Sequence, residues 1–134
     1  MLKSYKYTLA FFAWMFLVTY LSLASFSEYG GLPIMKIPHM DKAVHFIFYF
    51  IGSVLSCFFI RERTAGRTPI RKAMIYTALA MAFFGLLIEF LQYFMTYDRS
   101  GEILDFMANL TGIVLGLIVV NLWFSAKSGL KWRY

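Results

Sequence analysis

Residues 85–116 read GLLIEFLQYFMTYDRSGEILDFMANLTGIVLG, which is the pattern of two apolar helical stretches joined by a short polar turn. Polar side chains interrupt both apolar stretches, with Glu89 in the first and Asp105 and Asn109 in the second. A carboxylate near the middle of a membrane helix costs about 2.5 to 3.5 kcal/mol on insertion scales, so such residues usually face the interior of a helix bundle. The segment therefore predicts two membrane-spanning helices whose polar groups meet inside the protein.

The composition extends this prediction to the whole chain. Hydrophobic residues make up 60% of the 134 residues, whereas soluble domains contain roughly 45 to 50%. Four apolar runs are long enough to cross about 30 Å of hydrocarbon, and they cover approximately residues 7–25, 43–60, 73–94 and 103–124. We predict an all-α, polytopic membrane protein with four transmembrane helices in a single domain, residues 1–134. The first run exceeds the apolar core of a signal peptide, about 7 to 15 residues, and is expected to be a retained helix.

The formal net charge of +6 is explained by membrane topology rather than by a nucleic-acid partner. The basic residues cluster at both termini and in the loop between the second and third apolar runs: Lys3, Lys6, Arg61, Arg63, Arg67, Arg71, Lys72, Lys127, Lys131 and Arg133. Short loops rich in lysine and arginine stay in the cytoplasm. Both termini and this loop are therefore predicted to be cytoplasmic. Cys57 is the single cysteine, so an intrachain disulfide is excluded.

Helical spacing places the polar residues on shared faces. Asp41, His45 and Tyr49 are four residues apart and so stack along one side of the second helix. The third and fourth helices also carry stripes that are polar in the outer half and small in the inner half. We predict a pocket on the extracytoplasmic side, lined by Asp41, Lys42, His45, Tyr49, Glu89, Gln92, Arg99, Glu102, Asp105 and Asn109. Small residues permit close helix crossings in the inner half, and the candidates are Gly52, Gly85, Gly112 and Gly116.

Three segments together resemble the signature of the VanZ-like family of bacterial membrane proteins. They are DKAVHFIFYF at 41–50, GLLIEFLQYF at 85–94 and DRSGEILDFMANLTGIVLG at 98–116. The resemblance implies a small protein of the bacterial cytoplasmic (inner) membrane, related to one linked with resistance to teicoplanin, a lipid-tailed glycopeptide. The positions that match the family pattern are Asp41, Lys42, His45, Tyr49, Glu89, Gln92, Arg99, Asp105, Asn109 and Gly112. Glu102 stands where the family often has an acidic or polar residue. The resemblance implies no particular reaction.

Three functions stay open at this stage. The favoured one is a pocket that binds the head group of an envelope lipid, a lipid-linked envelope precursor or a lipoglycopeptide, with Arg99 gripping a phosphate or carboxylate. The second is an intramembrane enzyme that acts on such a lipid, with His45 and Glu89 as acid–base groups. The third is a structural or assembly subunit whose polar groups only stabilise the bundle.

Partners and cofactors follow from the same residues. Asp41, His45, Glu89 and Asp105 offer donor atoms to a divalent metal, but the chain lacks a compact ligand motif such as H-E-x-x-H. We therefore assign no metal ligand and no cofactor from the sequence. A homo-oligomer is compatible with the pattern, and the oligomeric state stays open.

Overall fold

The structure, a computed structural model, describes residues 4–24, 33, 37–95, 102–125 and 132. The described chain forms four helices: α1 (Lys6–Leu23), α2 (Met40–Arg63), α3 (Ile70–Met95) and α4 (Ile103–Ser125). All four are long and apolar enough to cross a membrane. The predicted all-α class and the four transmembrane helices are thus confirmed.

The helix boundaries differ from the apolar runs at the ends of α2 and α3. α2 begins three residues before the predicted start and ends three residues after the predicted end, and α3 begins at Ile70. Hydropathy falls where charged residues begin, but backbone hydrogen bonding continues through them. Asp41 in the first turn of α2 and Arg61 and Arg63 in its last turn complement the helix dipole. Charged ends therefore lengthen the helix beyond the apolar run.

A tight turn links α2 to α3. The backbone of Ala65 and Gly66 is left-handed, with φ of 51° and 72°, and Gly66 donates a hydrogen bond to the carbonyl of Arg61 at 2.9 Å. Glycine adopts this conformation without a steric penalty. Pro69 then precedes α3, and a fixed φ suits the start of a helix. The turn places α3 antiparallel to α2.

α4 packs closely against α2, and among the described helices this pair has the most extensive contact. Gly112 and Gly116 lie at the crossing. A Cβ atom on Gly112 would overlap the carbonyl oxygen of Phe46, and one on Gly116 would lie 2.8 Å from the carbonyl oxygen of Phe50. The two backbones therefore approach to a distance that a larger residue would prevent.

The bundle has two chemically different ends. At the end where α2 finishes, which we call the basic end, Glu62 accepts hydrogen bonds from the backbone amide and the hydroxyl of Thr8, at 2.7 and 2.8 Å. Trp132 donates to the carbonyl of Thr68 at this end and packs on Phe124. At the opposite end, which we call the acidic end, α2 and α4 begin and α3 finishes. Four carboxylates of the described residues meet there: Asp41, Glu89, Glu102 and Asp105.

Candidate functional site at the acidic end

Buried polar side chains from three helices meet at the acidic end. We call this group the polar core, and it consists of His45 and Tyr49 of α2, Glu89 of α3, and Asp105 and Asn109 of α4. The three helices bring these residues together because their polar halves lie at the same end of an antiparallel bundle. Burial of so many polar groups is costly unless they bond to one another or to a ligand.

Asn109 connects the core across all three helices. Its Oδ1 lies 3.1 Å from Nδ1 of His45, and its Nδ2 donates to Oε1 of Glu89 at 3.4 Å. With the proton on Nδ1, His45 donates to Asn109, and the same nitrogen lies 3.5 Å from the Glu89 carboxylate. His45, Asn109 and Glu89 therefore form a closed triangle of polar contacts. Each side chain fixes the orientation of the other two.

Lys42 is the described ammonium group at this end of the molecule. Its Nζ lies 3.0 Å from the carboxylate of Asp41 and 3.1 Å from those of Glu102 and Asp105. Asp105 belongs to this set and also to the polar core, so Lys42 joins the rim of the site to its interior. Arg99, which the sequence predicts as a pocket residue that grips a phosphate or carboxylate, lies outside the described residues, and its part in the site stays a prediction.

Two atoms of the polar core lack a hydrogen-bond partner among the described residues. They are Oε2 of Glu89 and the hydroxyl of Tyr49. Glu89 is 9% exposed and Tyr49 is 1% exposed, so bulk water does not solvate either group freely. Buried polar groups in native proteins are nearly always hydrogen-bonded, and an exception is explained by an ordered water, a bound ion or ligand, or a functional role.

Gln92 makes a buried hydrogen bond between two helices. Its Nε2 donates a hydrogen bond to the backbone carbonyl of Ser22 at 2.9 Å, which ties α3 to α1. The sequence could not indicate this contact, because the acceptor is a main-chain atom in a helix without a distinctive polar residue. A role for Gln92 in the pocket stays a prediction.

An apolar groove of about 660 Å³ opens between α3 and α4 beside the polar core. Its described lining has seven apolar or aromatic residues and two carboxylates: Phe83, Leu86, Leu87, Glu89, Phe90, Tyr93, Glu102, Ile103 and Phe106. Glu89 therefore belongs both to the groove and to the polar core. Sequence reasoning missed the groove because its leucines and phenylalanines look like any lipid-facing residues.

The site favours the binding of cations and of groups that donate hydrogen bonds. Among the described residues of the site, four carboxylates face Lys42 and His45, so the site is rich in hydrogen-bond acceptors. The hydroxyl of Ser56 and the thiol of Cys57 contact Thr77 instead, at 3.0 and 3.5 Å. They lie about three helical turns from His45 and so are not nucleophiles within its reach.

Comparison with known proteins gives one family match. The family model described as VanZ/LLP1 matches residues 2–124. An uncharacterized protein of the fission yeast Schizosaccharomyces pombe is 33% identical over 114 residues, which cover 83% of this chain and 65% of that protein. The chain thus spans somewhat less than two thirds of the length of this curated relative. No solved structure matches the chain.

Proposed function

The chain belongs to the VanZ/LLP1 family, and from this membership, the polar core and the groove we propose that it is a multi-pass membrane protein that binds a membrane lipid. The acyl chain lies in the groove between α3 and α4, and the polar head lies at the acidic end. One observation carries the proposal: Glu89 lines the apolar groove and also belongs to the buried polar core. An amphipathic ligand fits such a junction, because one part of it is apolar and the other polar.

The groove has the size of a ligand site. Pockets that bind small molecules have volumes of about 300 to 1,000 Å³ and mostly apolar walls with a few convergent polar groups. This groove has a volume of about 660 Å³. Its large side chains are well exposed, with Leu86 52% and Phe90 61% accessible. In a bilayer these side chains contact lipid tails, so a bound tail reaches the groove from the side.

The carboxylates favour a head group that carries hydroxyl or amine donors. Glu102 and Glu89 accept such hydrogen bonds at the end of the groove. The three N–H donors of Lys42 are already taken by Asp41, Glu102 and Asp105. Within this proposal, Arg99 therefore supplies the donor for a phosphate or carboxylate oxygen. The described carboxylates outnumber the described cations, so a purely anionic head group binds less well than a zwitterionic one.

The family membership guides the identity of the lipid. A fungal relative favours a lipid class that bacterial and fungal membranes share over a precursor of the bacterial cell wall. We therefore place a phospholipid first, with lipid-linked envelope precursors and lipoglycopeptides such as teicoplanin second. The proposal also includes that the protein resides in the bacterial inner membrane and that it contributes to antibiotic resistance. A lipid-tailed glycopeptide would reach the groove by its tail.

The proposal requires the acidic end to face the extracytoplasmic side. His39, beside the acidic end, and Arg67, at the basic end, are both exposed and serve as reporter positions. In a Cys57→Ser background, His39→Cys is expected to react with a membrane-impermeant thiol reagent in intact cells. Arg67→Cys is expected to react after the membrane is opened. The reverse pattern would place the groove and the polar core on the cytoplasmic side and contradict the proposed orientation.

A matched pair of variants tests the groove. Leu87 lines the groove and Leu115 does not, yet both side chains are 42% exposed. Leu87→Trp fills the groove and is expected to weaken binding of a phosphatidylethanolamine with a fluorescent acyl chain at least tenfold. Leu115→Trp adds the same volume elsewhere on the surface and is expected to leave the affinity unchanged. The titration is made on purified protein in detergent that contains EDTA. Equal affinities for the wild type and Leu87→Trp would refute the groove as the tail site.

A further inference from the structure

Two overlapping sets of side chains at the acidic end bring together donor atoms that could hold a cation. His45, Glu89 and Asp105 form the inner set, and Asp41, Glu102 and Asp105 form the outer set. In each set, one donor atom from every residue lies within 4.8 Å of the others. The two sets share Asp105, but their surroundings differ.

Lys42 already occupies the centre of the outer set. Its Nζ contacts all three outer carboxylates at 3.0 to 3.1 Å, so the ammonium takes the position that a cation would otherwise fill. No lysine or arginine contact is described for Glu89, although its carboxylate lies near the backbone amide of Glu102. Its Oε2 is buried and has no side-chain hydrogen-bond partner among the described residues. Lys42 contacts Asp105, so Glu89 is the carboxylate of the inner set that has room for a cation.

A second buried group that lacks a hydrogen-bond partner among the described residues lies near the inner set but does not belong to it. The hydroxyl of Tyr49 is buried and lacks a partner among the described residues. Its ring carbon Cζ and the Nδ2 atom of Asn109 lie 3.5 and 3.4 Å from the position that a Gly85 Cβ would take. The Tyr49 ring and the Asn109 amide thus border the same point beside Gly85, and Asn109 contacts both His45 and Glu89. A bound ion can coordinate the Glu89 carboxylate, and a water molecule on that ion can form a hydrogen bond with the Tyr49 hydroxyl.

We propose that His45, Glu89 and Asp105 bind a divalent first-row transition-metal ion. One imidazole and two carboxylates suit zinc, manganese or iron. Two donor atoms on one such ion are separated by at most about 4.2 Å, because each bond is about 2.1 Å long. Small side-chain rotations would bring the donor atoms of the inner set to this separation. Asn109 holds His45 and Glu89 in position, as outer-shell partners of metal ligands usually do.

The ion would lie beside the head-group end of the groove, because Glu89 belongs to the inner set and to the groove. Three protein ligands leave at least one coordination position for water or for an oxygen of a ligand. The metal site does not depend on the proposed lipid binding. It rests on the three donor residues and on the unpartnered groups around them.

Calorimetry tests the site on the full chain without a polyhistidine tag. The protein is purified in detergent, stripped with EDTA, freed of chelator and titrated with Zn²⁺ and then Mn²⁺, with no added lipid. The wild type is expected to bind one ion per chain and to melt at a higher temperature when the ion is present. His45→Gln and Glu89→Gln are expected to bind at least tenfold more weakly. His39→Gln and Glu62→Gln remove a histidine and a carboxylate elsewhere and are expected to bind like the wild type.

Two outcomes would overturn the site. One is a wild type that binds neither ion with a defined stoichiometry and shows no metal-dependent rise in melting temperature. The other is wild-type affinity in His45→Gln and Glu89→Gln. The wild-type result decides the question even if a variant fails to fold. Because lipid binding is measured in EDTA and metal binding without added lipid, either result can fail while the other stands.

Discussion

Gly112→Ala is expected to lower the free energy of unfolding by about 1 to 3 kcal/mol or more, the usual cost of overpacking a tight contact. The new methyl group would lie 3.0 Å from the amide nitrogen of Phe50 and would overlap the carbonyl of Phe46. Both neighbours are backbone atoms of α2, so they cannot rotate away. α2 and α4 must separate, and the contacts of the whole crossing are weakened.

The same substitution at Gly52 is the matched control. A Cβ on Gly52 would lie 2.6 Å from the terminal methyl of Met81, which is the end of a flexible side chain. Alanine is also a better helix former than glycine by about 0.8 to 1 kcal/mol, so Gly52→Ala is expected to be nearly neutral. Thermal unfolding in one detergent, followed by circular dichroism, compares the two. Equal melting temperatures would mean that the α2–α4 crossing is looser than described.

Glu89→Gln is expected to weaken lipid binding at least tenfold while the protein still folds. Glutamine has nearly the same shape as glutamate and keeps an oxygen that accepts a hydrogen bond from Asn109. It removes the charge, and hydrogen bonds to charged groups contribute about 1.5 to 3 kcal/mol. Binding of the tail-labelled phosphatidylethanolamine in EDTA and the melting temperature are measured on the same preparation.

Asp105→Asn and His45→Gln extend this comparison to the rest of the polar core, while Glu62→Gln serves as the control at the basic end. A polar core that only stabilises the bundle would give a different result. The variants would then lose melting temperature and lipid affinity together and in proportion. That outcome would favour the structural role over the binding site.

The sequence predicted the helices and the faces on which the polar residues lie. Hydropathy located four membrane spans, and the four-residue spacing of Asp41, His45 and Tyr49 placed them along one side of α2. The G-x-x-x-G pair at 112 and 116 indicated a close crossing, but the pattern does not specify the partner helix. Only the packed bundle shows that the partner is α2.

The remaining contacts depend on geometry that spacing does not encode. Lys42 follows Asp41 directly in the chain, and no helical periodicity indicates that it also contacts Glu102 and Asp105. Gln92 donates its hydrogen bond to a main-chain carbonyl of α1, which no side-chain pattern indicates. The groove consists of lipid-facing leucine and aromatic side chains. The sequence does not show whether such side chains form a groove or a flat surface. Each of these features depends on the relative rotation of two helices.

Native mass spectrometry of gently extracted protein tests directly whether the polar core and the groove form one lipid site. We expect one retained lipid per chain in the wild type, in Leu115→Trp and in Glu62→Gln. We expect marked loss of that lipid in both Leu87→Trp and Glu89→Gln, because one change fills the tail site and the other removes a charge at the head site. A wild type that retains no lipid, or equal retention in all four variants, would show that the polar core and the groove do not form one lipid site.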